Sequence, residues 1–272
     1  MTSAEATGTD IADLGESMPD NEITFPAPVF GKHVIIVVGG YGSGKSEISV
    51  NLARLLARSG SQSVAIADLD IVNPYFRSRE AASELEAFGV KCLIPAGEQV
   101  HSELPIIIPE IRAAIEAKTG TLILDVGGDD VGARVLSSLG DAFTPGEYEM
   151  LLVLNERRPF TADVTGALKM MANIEAACRL QFSGIISNTH LMDDTTAETV
   201  MDGLRLARKV SEQTGLPVRF LSVTKELASQ LRASELQVPI LLIDRALTKP
   251  WERKGSTWTD PKLRIDRRCQ GL

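Results

Sequence analysis

The sequence predicts an α/β fold, with a three-layer, doubly wound and mostly parallel sheet that carries helices on both faces. Two observations lead to this prediction. Apolar segments of strand length recur along the chain, and segments with helical spacing lie between most of them. Apolar runs without polar alternation are typical of strands buried on both faces, and strand–helix alternation is typical of parallel sheets. The expected strands are residues 33–38, 63–68, 90–94, 121–125, 149–154, 184–188, 218–223 and 240–243.

The two ends of the chain differ in charge from the region between them. Residues 1–25 contain six acidic residues and no basic ones, which indicates a flexible acidic tail. Residues 249–272 contain seven basic and three acidic residues together with two tryptophans. This composition indicates either an arm packed on its own domain or a basic-aromatic tail for an acidic surface, a membrane or a nucleic acid. Residues 26–248 are expected to form one domain with a sizeable core.

The segment between the first expected strand and the first expected helix has the pattern of a phosphate-binding loop. Residues 39–46 read Gly-Gly-Tyr-Gly-Ser-Gly-Lys-Ser, which fits Gly, four residues and Gly-Lys-Ser. Glycines allow a close approach of the backbone to a ligand, and the amides at a helix start attract an anion. The alternative is a glycine turn that only joins a strand to a helix. The buried strand before it and the apolar helix face after it favour the binding of a nucleoside triphosphate.

The residues of this loop have different expected tasks. Lys45 would supply a positive charge to the outer phosphates. Ser46 would offer a hydroxyl ligand to Mg²⁺. The residues that are expected to contact the nucleotide are Gly40, Tyr41, Gly42, Ser43, Gly44, Lys45 and Ser46.

Acidic residues close two further expected strands. The second strand is followed by Asp70, which can reach Mg²⁺ through water or orient the attacking water. Asp70 is preferred to Asp68 because Asp68 still lies within the strand, and the alternative is an Asp that caps a turn. The fourth strand ends in Asp125, which is expected to hold the hydration shell of Mg²⁺ opposite Ser46. Gly128 follows and leaves the backbone free to approach the nucleotide.

The sixth expected strand ends at Asn188, whose amide can bind the edge of a nucleobase. Guanine-specific sites of GTPases use Asn-Lys-x-Asp, whereas residues 188–191 read Asn-Thr-His-Leu. Residues 155–158 do not supply the missing Asp either, because they read Asn-Glu-Arg-Arg. The sequence therefore favours ATP over GTP. His190 is expected to be a structural residue and not a ligand.

Composition argues against several other classes of protein. The formal net charge of −8 argues against a broad nucleic-acid-binding surface. No apolar run approaches the ~20 residues that span a bilayer, and the N-terminus lacks the pattern of a signal peptide. The three cysteines lie far apart without a Cys-x-x-Cys pair, which indicates a reducing compartment and no zinc or iron–sulfur site. We therefore expect a cytoplasmic protein without a transmembrane segment.

In the order of these residues, the chain resembles the MinD/ParA group of P-loop ATPases, which includes the CobQ- and CobB-like proteins. The resemblance covers residues 32–245 and implies ATP and Mg²⁺ as cofactors. It further implies Lys45 at the phosphates, Ser46 at Mg²⁺, Asp70 at the catalytic water or Mg²⁺, Asp125 as the metal-side carboxylate and Asn188 at the adenine.

One position departs from the pattern of this group. MinD and ParA members carry an additional lysine at the start of the loop, which reaches across a dimer that sandwiches the nucleotides. Gly40 occupies that position here. The difference argues against a trans-lysine dimer, and with it against chromosome partitioning or division-site placement, and leaves a homodimer of another kind open.

The sequence supports four hypotheses about function. The first is a Mg²⁺-dependent ATPase that switches an unidentified protein partner, with residues 70–80 and 125–130 ordered by ATP and released by hydrolysis. The second is an ATP-dependent small-molecule kinase or ligase of the dethiobiotin synthetase or cobyrinate amidase type, with an acceptor pocket at residues 98–105, Arg77 and Arg79. The third is a nucleotide-loaded binding module with negligible turnover. The fourth, a GTPase metallochaperone, needs a His/Cys cluster and a guanine-binding Asp that the sequence lacks.

Overall fold

The computed structural model describes residues 25–60, 63–69, 82–93, 108–128 and 130–244, and it confirms the predicted fold class. Each expected strand is present, with ends that differ by at most two residues from the prediction. The strands are β1 (Val34–Gly39), β2 (Val64–Asp68), β3 (Val90–Leu93), β4 (Thr121–Gly127), β5 (Tyr148–Leu154), β6 (Gly184–Ser187), β7 (Val218–Thr224) and β8 (Ile240–Ile243). The helices are α1 (Lys45–Arg58), α2 (Ala82–Ala87), α3 (Ile108–Ala117), α4 (Asp130–Ser138), α5 (Val164–Cys178), α6 (Ala197–Thr214), α7 (Lys225–Ala228) and α8 (Ala233–Leu236). The predicted acidic tail up to residue 24 and the predicted basic arm lie outside the described residues.

The eight strands form one sheet in the order β3-β2-β4-β1-β5-β6-β7-β8, and every pair of neighbours is parallel. β1 is therefore central, between β4 and β5. Because the carboxyl ends of parallel strands meet at one edge of the sheet, the segments that follow these strands lie close together. Gly39 at the end of β1 is in register with Gly127 of β4, and Asp125 of β4 is in register with Asp68 of β2.

Helices cover both faces of the sheet and make three layers. One face packs against α1 and α2, in a core cluster that includes Val37, Ile48 and Leu85. The opposite face packs against α3, α4 and α5, in a cluster that includes Val38 and Ile111. All six residues of β1 are buried, which agrees with the unbroken apolar sequence of this strand.

The helices α5 and α6 each turn a stripe of apolar residues at helical spacing to the core. α5 begins after Asp163, whose carboxylate accepts a hydrogen bond from Gly166 N–H at 2.8 Å, and α6 is followed by the C-cap residue Gly215, which has a φ of 73°. The buried residues of the two stripes are Met171, Ile174 and Cys178 in α5 and Val200, Leu204, Ala207 and Val210 in α6. Within the described ranges, no helix combines the length and the apolar character that crossing a bilayer requires.

Candidate functional site

Residues 39–46, the predicted phosphate-binding loop, connect β1 to α1 at the carboxyl edge of the sheet. Gly42 (φ 71°) and Gly44 (φ 85°) have left-handed backbone conformations that favour glycine. Gly44 is the N-cap of α1, and Ile48 N–H donates to its carbonyl at 3.0 Å. The N–H groups of the residues before Ile48 have no partner within the helix, and they point out of its N-terminus. The loop therefore has the backbone shape of an anion site.

Two carbonyl groups of the loop are held by side chains from neighbouring strand ends. Arg158 Nε, after β5, donates to the Gly42 carbonyl at 2.7 Å. Asn188 Nδ2, after β6, donates to the Ser43 carbonyl at 2.7 Å. Since the N–H and C=O of a peptide point in opposite directions, the second bond turns the Gly44 N–H away from β6. The conformation of the loop is thus fixed by contacts that come from outside it.

Asn188 is buried, and both ends of its amide bond to the protein. Its Nδ2 holds the Ser43 carbonyl, and its Oδ1 accepts from Ser222 Oγ on β7 at 2.8 Å. The second N–H of Nδ2 has no acceptor among the residues that the structure describes. The predicted contact between Asn188 and adenine therefore stays a prediction. The structure adds a further role for Asn188, which connects the loop to β7 through its hydrogen bonds to Ser43 and Ser222.

The segment after β5 is joined to the segment after β6 through Asn155, which is fully buried. Asn155 Nδ2 donates to the His190 carbonyl at 3.3 Å, and Asn155 Oδ1 accepts from Arg157 N–H at 3.0 Å. Glu156 N–H donates to Thr189 Oγ1 at 2.9 Å. These bonds make the two segments one rigid support for the loop.

Asp125 and Asp68 lie side by side, and both are almost fully buried (0% and 2% exposed). Side chains alternate along a strand, so each aspartate shares a face with the residue two positions before it. Those residues, Ile123 and Ile66, belong to the core cluster that contains α1. Both carboxylates are therefore on the sheet face that α1 covers, and Ser46 is the second residue of α1.

The residues at this end of α1 fit the predicted Mg²⁺ ion. Ser46 Oγ is buried and has no hydrogen-bond partner in the described part of the chain. A buried hydroxyl without a partner is rare in native proteins and indicates an ion, a ligand or water. Mg²⁺ prefers oxygen donors and is held by one or two carboxylates together with phosphates and water. Ser46, Asp125 and Asp68 supply donors of this kind.

Gly128 brings the segment after β4 against the start of the loop. A Cβ atom on Gly128 would lie 2.5 Å from the carbonyl carbon and oxygen of Gly39 and 2.8 Å from Gly40 N. No side chain fits such a gap without moving the backbone. The contact of Gly128 with a nucleotide stays a prediction, whereas its contact with the loop is direct.

A cavity of about 830 Å³ opens beside the loop, which is within the usual size of small-molecule sites. Its walls combine the loop and the start of α1 with the ends of β6, β7 and β8. His190, predicted to be structural, contributes to the wall, and its Nε2 would lie 3.1 Å from a Cβ on Gly44. Further lining residues include Tyr41, Lys45, Arg158, Asn188, Thr189, Ser222, Val223 and Ile243.

Several predicted site residues lie outside the described residues. These are Asp70, Arg77, Arg79 and residues 98–105, and their roles stay predictions. Sequence reasoning missed Asn155, Arg158 and Ser222, and it set Asp68 aside. For Asn155 a signal was available, because it directly follows an expected strand, as Asn188 was expected to close another.

Cys92 and Cys178, the cysteines among the described residues, do not line this site. Burial raises the pKa of Cys92 to about 11 and also raises the pKa of Cys178, so both thiols are protonated near neutral pH. Within the described residues, no group of three or more His, Cys, Asp and Glu side chains is arranged to hold a metal ion.

The sheet order and the helices on both faces give the chain the three-layer fold that P-loop NTPases have. FtsY from Mycoplasma mycoides has this fold: it is 17% identical to the chain with a TM-score of 0.50, over 83% of this chain and 70% of that one. The signal recognition particle receptor FtsY from Elizabethkingia anophelis in complex with GDP is 22% identical, with a TM-score of 0.45 over 77% and 61%. A nucleotide-binding protein from Archaeoglobus fulgidus in complex with ADP is 17% identical, with a TM-score of 0.42 over 73% and 84%.

At these identities the similarity concerns the fold. The aligned part spans 62% of the length of the FtsY chains from a second Mycoplasma mycoides crystal and from Physcomitrella patens. No family model matches the chain, and no curated protein matches it. Membership of the MinD/ParA group is therefore still a prediction.

Proposed function

We propose that the chain is a Mg²⁺-dependent ATP-binding protein that hydrolyses ATP and acts as a nucleotide switch on a protein partner. The observation that carries this proposal is the fixed conformation of residues 39–46. Their carbonyls are held from outside by Arg158 and Asn188, and α1 begins directly behind them. A loop of this shape presents amides to an anion without reorganisation on binding.

The charged residues around the loop suit a triphosphate. Lys45 is 6% exposed at the first position of α1, where it can neutralise the outer phosphates. Ser46 and Asp125 would hold Mg²⁺ between α1 and β4, with Asp68 next to them. Bound there, the ion would neutralise charge that develops on the phosphates during hydrolysis.

The choice of ATP over GTP follows from the segment after β6. Asn188 is followed by Thr189 and not by the Lys-x-Asp of guanine-specific sites.

The protein partner is supported by two large apolar side chains that are exposed near the loop. Tyr41 in the loop is 80% exposed, and Phe160, two residues after Arg158, is 71% exposed. Both belong to segments that follow neighbouring strands, β1 and β5, so a partner at the carboxyl edge of the sheet would meet both.

Displacement of a fluorescent ATP analogue tests nucleotide binding and base preference together. We expect ATP to displace the analogue at a concentration at least ~10-fold lower than GTP, and removal of Mg²⁺ to weaken ATP binding. Phosphate release from ATP should proceed without an added metabolite. Displacement by neither nucleotide would overturn the proposal. Release that depends on an added metabolite would favour the kinase or ligase hypothesis instead.

Asp125→Asn is expected to raise the Mg²⁺ concentration that supports ATP hydrolysis by about 10- to 100-fold, the usual effect of removing a residue that supports a metal site. The substitution removes the charge and preserves the shape of the side chain. Phosphate release is measured against Mg²⁺ concentration, and Asp68→Asn in parallel shows how much the second carboxylate contributes. Asp141→Asn is the control, since Asp141 is exposed and pairs with Arg112. An unchanged Mg²⁺ requirement in Asp125→Asn would contradict the assignment.

A further inference from the structure

Arg158 reaches the loop from the segment after β5, and its position there is well fixed. Its backbone N–H donates to the carbonyl of Asn155 at 3.1 Å, and its carbonyl accepts from Thr161 N–H at 3.0 Å. Thr161 Oγ1 in turn donates to the Asn155 carbonyl at 2.7 Å. The guanidinium is therefore presented by a rigid turn, as a precise contact requires.

The bond from Arg158 acts on the tightest part of the loop. Arg158 Nε donates to the Gly42 carbonyl at 2.7 Å, a short, charge-assisted hydrogen bond. That carbonyl belongs to the same peptide as the N–H of Ser43, which donates to the Gly40 carbonyl at 3.0 Å and closes the turn. One guanidinium nitrogen thus makes the shorter of two hydrogen bonds to the peptide on which the shape of the loop depends, the other coming from Asn155 Nδ2 at 3.5 Å.

The guanidinium also lies against the loop backbone. A Cβ on Gly42 would lie 2.9 Å from Arg158 Nε and 3.0 Å from its Cζ, so only glycine leaves room for this contact. Arg158 borders the cavity. Its two terminal nitrogens have no hydrogen bond or ion pair with the described residues, which leaves their positive charge beside the loop.

The neighbouring arginine has a different role. Arg157 Nη2 pairs with Asp202 of α6 at 2.9 Å, and its Nε lies 3.7 Å from the carboxylate of Glu156. The charge of Arg157 is therefore neutralised on the surface, away from the loop. The two arginines have the same chemistry and adjacent positions, so their comparison isolates the contact with Gly42.

We propose that Arg158 is a positioning residue that holds the loop in its binding conformation, and that its charge favours nucleoside di- and triphosphates over monophosphates. This inference rests on the proposed function and adds to it a residue that the loop pattern does not contain. Lysine could supply the charge and one hydrogen bond, but not the planar contact with the Gly42 backbone.

Arg158→Gln, Arg158→Lys and Arg157→Gln are compared with the wild type by calorimetric titration with ATP, ADP and AMP in the presence of Mg²⁺. We expect Arg158→Gln to bind ATP and ADP about 10- to 100-fold more weakly, as loss of a charge-assisted hydrogen bond predicts, and AMP less than ~3-fold more weakly. Arg158→Lys should recover part of the ATP affinity. Arg157→Gln should stay within ~2-fold of the wild type. Equal ATP affinity in Arg158→Gln and the wild type would overturn the inference.

Hydrogen exchange of the nucleotide-free protein tests the positioning role without relying on nucleotide binding. The amides of residues 40–46 should exchange faster in Arg158→Gln than in the wild type, and Arg157→Gln should leave them unchanged. Unchanged exchange in Arg158→Gln would show that the bond to Gly42 does not hold the loop. A wild-type protein that binds no nucleotide would overturn the proposed function, and the exchange rates would still decide the role of Arg158.

Discussion

Lys45→Ala is expected to weaken ATP binding by about 30- to 5,000-fold and to reduce phosphate release to the background rate. Lys45 is 6% exposed and begins α1 directly behind the loop. Truncating one partner of a buried charge pair costs about 2–5 kcal/mol, which corresponds to this range of affinities. The lost partner here would be the ammonium group that faces the outer phosphates. Calorimetric titration with ATP and a phosphate-release assay measure the two effects.

Lys118→Ala is a suitable control for Lys45→Ala. Lys118 precedes β4 at the opposite edge of the sheet and forms an exposed ion pair with Glu147. Exposed pairs contribute about 0–1 kcal/mol to stability, so Lys118→Ala should fold and bind ATP as the wild type does. Equal rates of ATP hydrolysis in Lys45→Ala and Lys118→Ala would contradict the proposal that ATP is hydrolysed at this site.

Most strands were predictable because they are largely apolar runs that the sheet buries, as in β1, although the edge strand β3 contains the exposed Lys91. The largest difference is at β4, which continues two residues past Asp125. Val126 and Gly127 still pair with Val38 and Gly39, although the glycines suggested a loop. The flanks of residues 39–46 were also predictable, because a buried strand and an amphipathic helix are both local patterns.

The contacts that hold the loop were not predictable from local patterns. Arg158 and Gly42 are 116 residues apart, and Asn188 and Ser43 are 145 residues apart. Strand–helix alternation predicts a parallel sheet but not the order of its strands. Only the order, with β1 directly beside β5 and one strand away from β6, brings these side chains to the loop.

Asp68 shows what a local rule about strand boundaries leaves out. Its position inside the strand was the reason to prefer Asp70, and Asp68 does lie at the last position of β2. In a parallel sheet, however, the end of one strand stands in register with its neighbour, and Asp68 is thereby placed beside Asp125. Two adjacent buried carboxylates repel each other when both are charged, which a divalent cation would relieve. The register thus places Asp68 on the sheet face that α1 covers, and the role of Asp70 stays a prediction.

Gly44→Ala is expected to abolish measurable ATP binding and to destabilise the protein by about 3–5 kcal/mol. Gly44 has a φ of 85°, which costs an alanine roughly 1–2 kcal/mol. The new Cβ would also lie 2.3 Å from Asn188 Nδ2, so Asn188 would have to leave its bonds to Ser43 and Ser222. Each lost bond costs about 1 kcal/mol, and unpaired buried groups cost more.

Gly89→Ala measures the cost of a left-handed backbone for alanine without the steric clash that Gly44→Ala has with Asn188. Gly89 follows α2 with a φ of 80°, and no atom lies within 4 Å of the position that its Cβ would take. We expect Gly89→Ala to lose only about 1–2 kcal/mol and to bind ATP normally. Chemical denaturation measures the stability of both variants, and titration with ATP measures their affinity. If Gly44→Ala lost no more stability than Gly89→Ala and still bound ATP, Asn188 would not be needed to hold the loop.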